Sequence, residues 1–450
     1  MLINFTLKNW MSFKEEASFS MVASRERQHG ERLAKVKKYK MRVLPIAVLY
    51  GGNASGKTNF FKALNFVRKF VVSGTKPDSA ILTEPFKLDN ESSKEPTSFS
   101  FELLVNEDQE ENIYEFSFSV TRKSVIEEKL VLISSTNERT LYHRKDGKPN
   151  FDEKLEKEQF LQYAFQGTRD NQLFLTNAVS QKDKRFISIY NWFKNKLIMI
   201  APDTRFGGFD FFDENDKLYN QMNNIIPNLD TGIESIGMEA VSFNKIDLPE
   251  DLKEQIREDI KEGEQAIVMA EPDDERIIVN MKGGEITAQK LIAYHQKIDG
   301  ENIKFDMKEE SDGSRRVINL LPAFLSMTEK NAGSIFVIDE LDRSLHTLLT
   351  RQLIQSFLDS CLPESRAQLL FTTHDALLMD QEIFRRDEMW ITERRNNASF
   401  IRSFSEYKDV RYDKDIRKSY LEGRLGGTPR IQLDGKFIKS YCARERGEHD

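Results

Sequence analysis

Residues 51–58 read Gly-Gly-Asn-Ala-Ser-Gly-Lys-Thr, between a short apolar run (Val43 to Tyr50) and a helix-like run (Asn59 to Phe70). This is the pattern G-x-x-x-x-G-K-[ST], and its flanks supply the strand–loop–helix context that the pattern requires. Few features constrain a fold as tightly: a buried strand must feed the loop and a helix must leave it. The glycines let backbone N–H groups turn inward around phosphate oxygens, and a helix start at Lys57 adds partial positive charge at the same place. In such a loop Gly51, Gly52, Asn53, Ala54, Ser55, Gly56, Lys57, Thr58 and Asn59 cradle the nucleotide. Lys57 reaches the β- and γ-phosphates of ATP, and the Thr58 hydroxyl holds Mg²⁺. A Gly-rich turn with an incidental lysine is the plainer alternative, and the flanks weigh against it.

The chain has 450 residues, 39% hydrophobic and 31% charged, enough for two to three domain-sized units with a buried core. Its 32 Phe are expected mainly in that core. Two cysteines, Cys361 and Cys442, build neither a disulfide framework nor a zinc cluster and fit a reducing cytoplasm. The start of the chain does not read as a signal peptide, and no apolar stretch approaches the ~18–20 residues needed to span a membrane. A net charge of −7 provides no global basic field for DNA. Two local basic clusters stand out, Arg32 to Arg42 and Arg411 to Arg430. They read first as solvated faces and second as contacts for nucleic acid or an acidic partner.

Alternation over Thr97 to Val120, continued by Val125 to Leu132 and Thr140 to Arg144, predicts antiparallel strands. Asp152 to Phe165 and Lys184 to Lys196 predict helices, and Leu197 to Ile200 a short strand. Residues 203–275 are broken by Gly207-Gly208 and Pro227, with an acidic amphipathic helix expected over Leu248 to Ala266. An Asp299-Gly300 turn joins a predicted hairpin. Ser314 to Met327 predicts a helix bent or interrupted near Pro322. Ser334 to Ile338, Leu348 to Cys361 and Gln368 to Thr372 predict a β–α–β unit in a parallel sheet.

A phosphate loop needs a carboxylate for Mg²⁺ and a group that activates water. Ile335-Phe336-Val337-Ile338-Asp339-Glu340 supplies both. Asp339 stands at the carboxyl end of a buried strand, where ligands bind in open α/β sheets, and Glu340 is placed to act as general base. His374 ends the next apolar strand, where a polar side chain can sense the γ-phosphate. Ser311-Asp312-Gly313-Ser314 opens a helix, an anion-binding arrangement that is also an ordinary turn and cap.

The order of these motifs resembles the ABC-type ATPase head of the SMC and DNA-repair group. Gly52 to Asn59 is similar to that group's G-x-N-G-S-G-K-S-N, and Ser311 to Arg315 stands where it has L-S-G-G-Q. Leu341 to His346 resembles its D-loop and His374 its switch histidine. Glu310 to Arg316, with Asp339-Glu340 and Ser344-Leu345-His346, resembles more narrowly the bacterial AAA-labelled, ABC-like ATPases of phage defence: the abortive-infection, Septu-like and OLD-related groups.

The resemblance implies an α/β fold: an ABC-type P-loop ATPase head with an antiparallel β subdomain and a compact mixed helical insertion. The head is expected at 1–120 and 275–410, the insertion at 121–274 and a C-terminal extension at 411–450. It implies a homodimer or higher homo-oligomer closed around ATP and Mg²⁺. Lys57, Thr58, Asp339, Glu340 and His374 act from one subunit, and Ser311 and Gly313 from the other. The implied output is control of a separately encoded nuclease or toxin in anti-phage defence. The alternative is a repair or recombination ATPase acting on DNA ends or structures. The signature lacks its second Gly and its Gln, and Gln166, Gln172 and Gln181 stand equally as Gln-loop candidates. No heptad run supports a coiled-coil arm, and the ~50 residues after the core are too few for a nuclease domain.

Overall fold

Every residue of the strand Ile46–Tyr50 is buried, so both of its faces must be covered. The computed structural model, which describes residues 1–107, 110–202, 217–261, 265–270, 275–329, 332–407 and 415–428, places this strand inside a six-stranded sheet. The order is Leu197–Ile200, Ile335–Ile338, Gln368–Thr372, Ile46–Tyr50, Met389–Arg395, Ala398–Ser403. The first five strands run parallel and the last turns back. Successive side chains point to opposite faces. Ala47, Leu49, Ile335, Val337 and Leu370 join a core shared with the helix Lys57–Ser73 and the antiparallel sheet. Ile46, Val48, Phe336, Ile338, Leu369 and Phe371 pack with the helices Asp312–Thr328 and Thr347–Ser360. The fold class is α/β, as the sequence implies. The apolar run expected over Val43 to Tyr50 is divided at Leu44-Pro45, with Met41–Val43 pairing separately with Ala34–Val36.

The second sheet is antiparallel, in the order Lys148–Phe151, Glu138–Lys145, Val125–Ile133, Glu110–Val120, Thr97–Glu107, Leu2–Lys8, Ala17–Ser20. Phe99 pairs with Phe118 and Phe101 with Phe116, all buried. The Gln368 amide clamps the two sheets. Its Nε2 donates to the carbonyls of Leu2 (3.0 Å) and Leu44 (3.2 Å), and its Oε1 accepts from Leu2 N–H (2.6 Å). Neither sheet breaks at residue 121: strands 125–151 continue the antiparallel sheet, and Leu197–Ile200 is an edge of the parallel one.

A third sheet pairs Ser235–Val241, Glu285–Gln296, Glu275–Lys282 and Gln265–Ala270 in that order, with Asn302–Asp306 added to Glu285–Gln296. The turn between the last two carries Gly300 at φ 89°, as the Asp-Gly signal predicts. The helix expected over Leu248 to Ala266 is a correction. It covers only Glu250–Asp259, and Gln265–Ala270 is a strand paired with Glu275–Lys282. The apolar run Ala-Ile-Val-Met gains a cross-strand partner that the acidic helix could not offer it. The Gly207-Gly208 break lies outside the described residues. Among the described residues no helix is long and apolar enough to cross a membrane.

Beneath the parallel sheet, buried charges tie residues 24–32 to 383–388. Arg32 pairs with Glu388, and Arg385 forks onto Asp387 at 2.9 and 2.7 Å. Arg32 also donates to the Ile383 carbonyl at 2.8 Å. The first basic cluster is thus partly interior. Burial pushes the Glu388 carboxyl up from 4.5 to about 7, against the pull of Arg32, and its Oε1 has no hydrogen-bond partner. Below its folded value the native chain keeps this proton, while the unfolded chain releases it near its ordinary value. The group therefore removes stability as pH rises from about 4.5 to 7. Glu388→Gln is expected to show a thermal midpoint that falls less over that window than the wild type's. Parallel profiles would mean that Glu388 is already ionised in the native state at the acid end.

Candidate functional site

The loop after Ile46–Tyr50 is held by contacts that only its own residue types allow. Gly56 sits at φ 118°, and a Cβ there would lie 2.6 Å from Ser399 Oγ, so glycine is required on both counts. Ser55 Oγ shares a 2.7 Å hydrogen bond with Thr392 Oγ1. Thr392 in turn donates to the Tyr50 carbonyl at 3.2 Å. Asn53, Ala54 and Thr58 are exposed, while Gly51, Ser55, Gly56 and Lys57 are buried. The Asn59 amide donates to Ser12 Oγ at 2.8 Å, which commits it to the first strand turn.

Lys57 folds back on the loop. Its Nζ donates to the carbonyls of Gly51 (2.6 Å) and Gly52 (3.2 Å) and stands 3.4 Å from His374 Nδ1. Burial pushes this ammonium down to about 8, against the pull of Asp339, Asp342 and Glu340. Two loop carbonyls are weak compensation for a buried cation, so an anionic ligand gains strongly by taking their place.

The sheet brings the distant carboxylates to this loop. Val48 is level with Phe371, and Phe371 with Ile338, so the three strands end together. Asp339 is 1% exposed. Its Oδ1 accepts from Thr372 Oγ1 at 2.6 Å. Burial raises its pKa, opposed first by the Thr372 hydrogen bond and then by the nearby Thr58 hydroxyl. Even so, Asp339 Oδ2 is buried without a hydrogen-bond partner, as is Asp342 Oδ1. An orphaned carboxylate oxygen beside an exposed threonine hydroxyl is the donor set a hard cation takes. Among the described residues no group of three or more side chains of metal-ligating type could hold an ion alone.

Glu340 adopts φ 50°, uncommon for a residue with a side chain. Its N–H donates to Thr372 Oγ1 at 2.8 Å, and its carbonyl accepts from Arg316 at 3.3 Å. The turn carries Glu340 Oε1 to 3.7 Å from His374 Nε2. His374 therefore stands between the Lys57 ammonium and the Glu340 carboxylate.

Ser311 caps the helix Asp312–Thr328, accepting from Ser314 N–H at 3.1 Å. Gly313 packs against the Leu341–His346 turn, where an added Cβ would come within 2.8 Å of the Ser344 carbonyl. No described hydrogen bond joins Ser311 or Gly313 to residues 51–59 of the same chain. Nor does one join Gln166, Gln172 or Gln181 to that loop.

Two contributors escape the sequence reading. Thr372 supports both carboxylate residues, and its signal is a hydroxyl at the end of a strand with an apolar centre. The second is the turn after the short helix Ile416–Leu421. The Gly427 carbonyl accepts from Gly52 N–H at 2.7 Å and from Tyr420 Oη at 3.2 Å. Gly427 adopts φ 74° and packs directly on Ile391. Residues 415–428 thus reach the loop itself, although 411–450 reads as an extension. Of the second basic cluster, Arg411, Lys414 and Arg430 lie outside the described residues, and Arg424 pairs with Glu422 at 2.9 Å.

A family model described as "AAA domain, putative AbiEii toxin, Type IV TA system" matches residues 46–380. Among curated proteins none matches the sequence. Among solved structures, the crystal structure of the SmcHead bound to the C-winged helix domain of ScpA overlaps 91% of this chain and 99% of its own. The identity is 12% and the TM-score 0.38, too loose an overlap to support an argument.

Thr372→Val keeps the shape of the side chain and removes both of its hydrogen bonds. Support of this kind typically counts for about 10–100-fold in metal affinity or activity. Mg²⁺-supported binding of ATP, followed by calorimetry, is expected to weaken within that range and to recover in Thr372→Ser. Equal loss in both variants would exclude the hydroxyl as the cause.

Proposed function

This chain belongs to the AAA_21 family of AAA domains, and we propose that it is an ATP-binding and ATP-hydrolysing switch that controls a separate effector protein. The family match spans most of the chain and includes both halves of the site. The observation that carries the reading is the convergence of Lys57, Asp339, Glu340 and His374 at the ends of neighbouring parallel strands.

In this reading the loop N–H groups and Lys57 bind the triphosphate, and Lys57 exchanges two carbonyls for phosphate oxygens. Thr58 and Asp339 would hold Mg²⁺, which would supply positive charge against the developing phosphate charge. Glu340 takes a proton from the attacking water, whose oxygen forms the new bond to the γ-phosphorus as the bond to ADP breaks. The neighbouring His374 imidazole donates a hydrogen bond toward the γ-phosphate and reports its loss through the Glu340 contact. Thr372 holds Asp339 and Glu340 in position for these roles.

Ser311 and Gly313 are proposed to complete the nucleotide site of a second copy. Their helix start is held at the Leu341–His346 turn and not at the loop of the same chain. ATP then joins two subunits and hydrolysis releases them. The proposed ATPase unit is 1–120 with 275–410, although strands from 125–151 and 197–200 extend its sheets. The insertion, 121–274, is the proposed lid or partner-binding part. The effector is proposed to be a separately encoded nuclease or toxin of bacterial anti-phage defence. Use of Arg32 inside the fold leaves the first basic cluster less to offer DNA, which disfavours the repair alternative.

Glu340→Gln should bind ATP and stop turning it over, leaving a dimer that light scattering detects with ATP and not with ADP. Turnover at the wild-type rate in that variant would remove Glu340 from the mechanism. Lys57→Ala should abolish ATP binding; unchanged affinity in a titration would refute the role given to the loop.

A further inference from the structure

The helix that leaves the phosphate loop, Lys57–Ser73, borders a groove away from the carboxylates. About 740 Å³ opens between this helix, the Trp10-Met11 turn and the connection that follows Ser73. Four cations line it: Lys62, Arg68, Lys69 and Lys76. The only carboxylate among its lining residues, Glu84, is paired with Lys87 at 3.3 Å. Arg68 donates one N–H to the Lys194 carbonyl at 3.3 Å, and its Nε is buried without a partner. On a chain of net charge −7, this is a concentrated patch of the opposite sign.

The groove is also apolar. Leu82 is 82% exposed at its edge. Its aromatic floor is already used. Trp10 and Phe70 are 3% and 4% exposed, and the intervening Phe66 ring packs on both, 5.1 and 5.7 Å away. Rings committed in this way offer no free face for a base, which separates the groove from single-strand binding sites.

We propose that this groove docks an acidic segment of a partner protein, with an apolar side chain set against Leu82 and carboxylates against Lys62, Lys69 and Lys76. Charge complementarity selects the occupant, and the exposed leucine supplies the anchor. The Trp10 indole N–H donates to the Asn59 carbonyl at 2.8 Å, so a bound segment also rests on the helix that starts at the nucleotide loop. The docking surface stands whether or not the chain hydrolyses ATP.

The test is fluorescence anisotropy with the full chain at about 0.15 M salt, where exposed charges are screened beyond ~8 Å. The probe is a labelled peptide of Asp and Glu with a Leu-Phe pair at its centre. One control replaces that pair by two serines; the other is an oligothymidylate of about 15 nucleotides, long enough for a single-strand site. Binding of the probe is expected to weaken about tenfold in Lys62→Glu/Lys69→Glu and about threefold in Leu82→Ser, with unchanged melting because all three positions are exposed. The serine control is expected to bind more weakly than the probe. Equal binding by that control, indifference to these variants, or tighter binding of the oligothymidylate through the same lysines would overturn the proposal.

Discussion

The register among three parallel strands is the constraint on which everything else depends. Val48, Phe371 and Ile338 are held level by main-chain pairing. Phosphate loop, Thr372 and Asp339 therefore emerge at one edge of the sheet although they are far apart in sequence. A slip of one residue would turn Asp339 into the core and Ile338 to the edge. That slip is opposed because it would bury the Asp339 carboxylate among the apolar side chains that pack both faces of the sheet. The chemistry of the site is thus guarded by hydrophobic burial on either side of it.

The site keeps its polar groups incompletely satisfied. Lys57 is buried against two carbonyls, Asp339 and Asp342 each have a buried oxygen without a partner, and Glu340 adopts a left-handed backbone conformation. Unpaired buried polar groups cost about 1–3 kcal/mol each, and local backbone strain of this type costs a similar amount. Such costs are tolerable where the surrounding sheet is over-determined. Under the proposed function they become an advantage, because a triphosphate and a cation would relieve them together.

The sequence made the parallel sheet and the loop legible, because Ile335–Ile338 is an unbroken apolar run, Gln368–Thr372 has an apolar centre, and Asp339 and His374 follow them closely. The Asp299-Gly300 hairpin was legible for the same reason of local chemistry. What escaped depended on distant partners. Leu248 to Ala266 carries a helical pattern, yet Gln265–Ala270 is claimed by a strand that follows it. Leu197–Ile200 reads as an isolated short strand, and only its pairing with Ile335–Ile338 shows that it belongs to the parallel sheet. Thr372 looks like the end of a strand until the two residues it supports are placed beside it. Arg32 reads as one cation among several, and burial beside Glu388 gives it a different job.

The hydrogen bond from Gly52 to the Gly427 carbonyl has a consequence for biosynthesis. The turn that braces the loop is made hundreds of residues after the loop itself. At 5–20 residues per second the delay is roughly 20 to 75 s. The strands carrying Asp339 and Thr372 also arrive within that interval. Over that interval a nascent chain carries the glycine-rich loop without its brace, and the loop reaches its folded surroundings only once Gly427 has been made.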